Sequence, residues 1–63
     1  MNQRMLAIID LKKAGYVLER HGANHDIYRN YVTGDKIPLK RHDFNNNDRK
    51  YINKEIRKKH GKN

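Results

Sequence analysis

A chain of 63 residues without a single cysteine has few ways to fold. One so short buries only about 60% of the surface that its unfolded form exposes. Without thiols it has neither a disulfide framework nor a thiolate metal site to staple its core. The expectation is one thin-cored domain spanning residues 1–63, too small for a deep, enclosed substrate cavity. Chemistry then belongs on an open face, which suits a polymer better than a small metabolite. No apolar run is long enough for a signal peptide or a membrane span, so the reading is of a cytoplasmic protein with no membrane partner.

Charge narrows the partners. Fifteen Lys and Arg stand against seven Asp and Glu, a net +8. The excess is concentrated at one end. Residues 1–48 carry eight basic and six acidic groups, whereas residues 49–63 hold Arg49, Lys50, Lys54, Arg57, Lys58, Lys59 and Lys62 against Glu55 alone. Such a field attracts nucleic acid, an anionic membrane or an acidic protein; a solvated, solubilising face is the plain alternative.

Spacing orders the elements. From about Arg4 to Ala14, Ala7, Ile8, Leu11 and Ala14 recur at helical intervals, with Met5 and Ile9 widening the stripe. Lys12 and Lys13 favour the helix C-terminus, and Gly15 caps it. Tyr16–Arg20 reads as a strand, His21–Asn24 as a turn, and His25–Val32 as a second, half-buried strand. After Thr33–Lys36 turns the chain, Lys36–Lys40 alternates cleanly, and Pro38 assigns it to a sheet edge. A polar loop with one apolar residue, Phe44, follows. Asn46, Asn47 or Asp48 then caps a second helix with a narrow stripe of Tyr51, Ile52 and Ile56, running to about His60 and ended by Gly61. The fold class is therefore α+β: helix, three-stranded antiparallel meander, helix.

Within this frame Gly22-Ala23-Asn24-His25-Asp26-Ile27-Tyr28 stands out. It sets an imidazole beside a glycine turn at the mouth of a strand. Histidine, with an unperturbed pKa of roughly 6.5, can both take and give a proton near neutrality. RNA supplies its own nucleophile, a 2′-hydroxyl that attacks the neighbouring phosphate once deprotonated. A placed proton-transfer group contributes typically ~10²–10⁴-fold to such a step, and cations that stabilise the developing charge add a further share. The route needs no metal and no small-molecule cofactor, and the residues point to neither. His21 and His25 are four apart, but the turn between them breaks any helix that would bring them onto one face.

The element order and several local strings resemble the HicA family of bacterial mRNA-interferase toxins, over about residues 5–58. Leu11-Lys12-Lys13-Ala14-Gly15-Tyr16 is similar to that family's helix-to-strand passage. Gly22 to His25 with Ile27-Tyr28 resembles the string that carries its active-site histidine, and Ile37-Pro38 with Arg41-His42 resembles its third strand and exit. The resemblance implies a small double-stranded-RNA-binding-like α-β-β-β-α fold with two helices on one face of the sheet. It also implies a toxin that cleaves mRNA through His25 to inhibit translation and growth, and a HicB-type antitoxin that covers it. Two departures stand beside it. His25 follows Gly22 by three residues where the commonest pattern has two, so anchoring on Ile27-Tyr28 selects His25 and anchoring on the glycine selects Asn24. The second helix opens from asparagines and not from Gly-Thr.

Arg20, Lys40 and Arg41 are candidates to hold RNA phosphates beside His25, with Lys54, Arg57 and Lys58 extending the surface along the second helix. Arg20, Lys40 and Arg41 each also read as a solvated strand-edge charge that deters aggregation. His42 either assists catalysis or phosphate contact, or makes a backbone hydrogen bond in its loop. His21 reads as a turn residue, and His60 as a favourable charge at a helix C-terminus. Of Tyr16, Tyr28 and Tyr31, all able to stack on bases, at least two are expected in the core. Asp26 is not expected to orient His25, because adjacent strand residues point to opposite faces. Two functions fit: a metal-independent endoribonuclease acting through His25, and a non-catalytic RNA-binding module of the same fold.

Overall fold

The structure, a computed structural model, describes residues 1–60, and of His60 the backbone alone. The expected stop at Gly61 and the charge of His60 lie outside what is described. The elements are α1 (Gln3–Lys13), β1 (Val17–His21), β2 (His25–Arg29), β3 (Lys36–Lys40) and α2 (Asn46–His60). The strands form one antiparallel sheet in the order β1-β2-β3. This is the α+β arrangement that the spacing implies.

α1 starts where the Asn2 side chain accepts the Met5 N–H at 2.8 Å. It ends in a Schellman motif. Gly15, at φ +92°, donates its N–H to Lys12 O, and the Tyr16 N–H reaches Leu11 O at 2.9 Å. Leu11 and Tyr16 are both fully buried, so the cap also nucleates the core. With Ala7 they pack against Tyr28, Ile37 and Leu39 from the sheet and Ile52 from α2. Both helices thus cover the sheet face that carries Tyr28, Ile37 and Leu39. The Arg49 guanidinium and the Asn53 amide of α2 bind the Asp10 carboxylate of α1, each at 2.9 Å, clasping the helices together. Met5, expected in the α1 stripe, is instead half exposed.

Three local expectations are corrected. Tyr16 precedes β1 as the end of the α1 cap. β2 stops at Arg29, and Tyr31 and Val32 stand in solvent. The cause is Asn30, a buried amide whose Oδ1 accepts the N–H groups of Val32 and Thr33 and turns the chain early. The N-cap of α2 is Asn45, one residue before the expected candidates, of which Asp48 assists from the first turn. The Asn45 side chain accepts the N–H groups of Asn47 and Asp48, while Asp48 Oδ2 accepts the Asn45 N–H at 2.9 Å. That reciprocal pair is a capping box.

One irregularity decides what the sheet displays. The β1–β2 register pairs Leu18 with Tyr28 and then Arg20 with Ile27, so Glu19 is an extra residue, a β-bulge. Side chains after a bulge change face. His21 therefore pairs with Asp26 and joins it on the helix-covered side, while Arg20 turns to the open side with Ile27 and His25.

Candidate functional site

The β1–β2 turn is fixed by contact. The Gly22 N–H donates to His25 O at 2.8 Å. A Cβ on Gly22 would fall 2.3 Å from that same oxygen, so only glycine fits. The Arg41 N–H binds Asn24 O, and the Arg41 guanidinium donates to Gly22 O at 2.8 Å. The exit of β3 therefore clamps the turn that delivers His25.

His25 is exposed and begins β2, opposite Lys40 of β3. It borders an open depression of about 510 Å³ together with Asn24, Lys40, His42 and Asp43. A smaller neighbouring pocket, about 210 Å³, is also bordered by His25 and Lys40 and closed by Pro38 and by Phe44 and Tyr51 of the α2 entry. The structure thus brings together His25, Lys40 and His42, three of the candidates, with Asn24 beside them. Among the described residues, no hydrogen bond or ion pair holds the His25 ring.

The other candidates divide. Arg20 is exposed on the open face, 3.9 Å from Glu19 Oε2. Arg41 is committed to the turn, with its Nε 3.7 Å from Asp26 Oδ1, so it positions the cleft more than it reaches into it. Lys54 and Lys58 lie three and seven residues beyond Tyr51 and share its stripe of α2. Arg57 lies around the helix in a shallow groove with Arg49 and Lys50. Tyr16 and Tyr28 are core residues and Tyr31 is exposed, its ring 5.0 Å beneath the Arg29 guanidinium.

Sequence reading missed a second polar centre on the covered side. Asp26, 5% exposed, accepts from Arg4 of α1 at 2.6 Å and from His21 Nδ1 at 2.9 Å. Burial pushes its carboxyl up, but the His21 and Arg4 hydrogen bonds and the nearby Arg41 charge outweigh this and hold it below the usual range. An ionised carboxylate only accepts, so His21 presents Nδ1–H to it. As expected, Asp26 does not serve His25; its imidazole is His21. The bulge at Glu19 creates that pairing, and no pattern of residue types announces a bulge. Tyr51 was missed because its spacing assigns it to the α2 core stripe.

Among the described residues no group of three or more His, Cys, Asp or Glu could hold a metal ion, and no helix is long and apolar enough to cross a membrane. Comparisons with protein-family models, curated proteins and solved structures find no match for this chain.

Proposed function

We propose that this protein is a toxin of the HicA type: a metal-independent endoribonuclease that cleaves mRNA through His25, inhibits translation and growth in the cytoplasm, and is held in check by a HicB-type antitoxin. The observation that carries this reading is an exposed imidazole, at the end of a strand and beside a glycine that tolerates no side chain, sharing one open cleft with Lys40 and His42. The Gly22–Tyr28 string and its resemblance to the toxin family support the same assignment.

The chemistry follows from those groups. His25 takes the proton of a ribose 2′-hydroxyl, the oxygen attacks the adjacent phosphorus, and the bond to the 5′-oxygen breaks. The leaving oxygen takes up a proton, for which His42 is the nearby donor, and the products are a 2′,3′-cyclic phosphate and a 5′-hydroxyl. Lys40 offsets the charge that develops on the phosphate. The open cleft admits a polymer. Arg20 on the open face, with Lys54 and Lys58 along α2 and Arg57 around it, supplies sequence-independent attraction for the backbone.

The second reading, a non-catalytic RNA-binding module, is favoured by one observation: among the described residues nothing fixes the His25 ring. Catalytic hydrogen bonds often tighten only around bound substrate, so a free ring fits either reading. Incubating purified protein with RNA in excess chelator separates them. The proposal requires cleavage with cyclic-phosphate ends, blocked by a 2′-deoxy sugar at the scissile position. RNA that is bound but intact after prolonged exposure would leave only the binding module.

A further inference from the structure

The smaller pocket beside His25 has a different character from the cleft it adjoins. Its apolar surfaces are Pro38, Phe44, Ile52 and the half-exposed Tyr51; its rim carries His25 and Lys40. The acid on its border, Asp48, is already engaged, accepting the Asn45 N–H and lying 3.7 Å from Lys40 Nζ. At about 210 Å³ it falls below the ~300–1,000 Å³ typical of sites for drug-sized ligands. That leaves room for one flat ring system and not for a folded segment.

We propose that this pocket is a subsite for one unpaired nucleobase, stacked on Tyr51, with the phosphate attached to that nucleotide held by Lys40 beside His25. An aromatic platform with a cationic rim is what a single-stranded nucleic acid requires, because every base offers a flat face and every nucleotide a charge. Lys54 and Lys58, on the same stripe of α2 as Tyr51, continue the positive rim along the path that the strand leaves by. A paired base cannot enter, so the subsite selects single-stranded over double-stranded RNA. The capping box at Asn45 and Asp48 gives the pocket a rigid wall. This inference rests on the reading of the chain as an RNA-directed protein, and it extends that reading by naming the residue that selects the substrate's form.

The test uses a short pyrimidine RNA carrying a single 2-aminopurine, titrated with the His25→Ala protein so that the strand stays whole. Stacking on Tyr51 should quench the 2-aminopurine emission. Tyr51→Ala in the same background should remove the quench and weaken binding about 5- to 150-fold, from a stacking contribution of ~1–3 kcal/mol per base. Tyr51→Phe should keep both, and the same RNA in a duplex should show neither. Tyr51 is half exposed, so an unchanged melting temperature is expected and confirms that the variants fold. Equal affinity and equal quenching for Tyr51→Ala would overturn the subsite and leave the pocket to a protein partner. The two proposals fail separately. Tyr51-dependent binding by a protein that never cuts RNA would uphold the subsite and sink the nuclease, whereas cutting by a protein indifferent to Tyr51 would do the reverse.

Discussion

His21 and His25 stand four residues apart, on either side of one glycine turn, both exposed, and differ in what holds the ring. His21 is turned to the helix-covered side and holds the buried carboxylate of Asp26, which Arg4 of α1 also grips. His25 is turned to the open side, with no partner among the described residues and a cleft in front of it. The first imidazole is engaged with the carboxylate that Arg4 ties to α1. The second is left available for a proton. Residue type and sequence position do not distinguish them; one bulged residue, Glu19, does, because it decides which face His21 takes.

The change with the largest reach is Gly22→Ala, which strikes both sides of the turn. Its Cβ must displace the His25 carbonyl from 2.3 Å, and a misplacement of about 1 Å at a reacting group costs roughly 10²-fold in rate. Cleavage should fall by that order, with a lowered melting temperature, as measured by initial rates and thermal unfolding. A Gly22→Ala protein of native rate would show that the turn does not set the His25 position.

Asp26→Asn isolates the covered side. It removes the charge from two side-chain hydrogen bonds and should cost about 1–3 kcal/mol of stability near neutrality, measured by urea unfolding. Cleavage by the folded fraction should survive. A rate that collapses while the protein remains folded would mean that the two histidine centres are coupled.

The same carboxylate gives a pH signature. Asp26 and Asp10 both have lowered pKa values in the fold: Asp10 because the Arg49 hydrogen bond outweighs burial, Asp26 because His21 and Arg4 outweigh it. A depressed carboxyl contributes stability that is fully present above its unfolded pKa, about 3.9. That contribution is lost as pH falls through the lower folded value. Stability should therefore decline below about pH 4, and Asp26→Asn should flatten that acid limb. An unchanged limb would show that the Asp26 charge does not hold the covered side together.

The smallest effect distinguishes the two flanks of α2. Neutralising Lys54 and Lys58 should reduce the slope of log affinity against log salt by about one unit for each RNA phosphate that no longer meets a cation. Arg57→Ala, around the helix, should change it less. Equal slopes for all three variants would make the helix a uniformly solvated face.

The open side and the apolar core were largely legible in the sequence. The Gly22–Tyr28 string located His25 at a strand mouth, the alternation Lys36–Lys40 gave β3 its bounds, and the spacing of Ala7 and Leu11 gave α1 its buried face. The polar centre of the covered side was not legible, for physical reasons. Arg4 and Asp26 lie 22 residues apart and meet only after α1 docks. Strand periodicity presumes an unbroken ladder, so the bulge put His21 on a face that the count does not assign. Asn30 and Asn45 act through side-chain bonds to nearby backbone, which compete with strand and helix patterns at the element ends. Tyr51 adjoins the buried Ile52 on α2 but is itself half exposed, so spacing alone widens the buried stripe too far.

The division between the two imidazoles is tested most directly by measuring RNA cleavage in chelator and thermal stability together, on His21→Ala and His25→Ala proteins. Opposite outcomes are expected. His25→Ala should keep the wild-type melting temperature and lose cleavage by roughly 10²–10⁴-fold, whereas His21→Ala should melt earlier and still cut while folded. A His25→Ala protein that cuts RNA at the wild-type rate, or a folded His21→Ala protein that does not cut at all, would contradict that division.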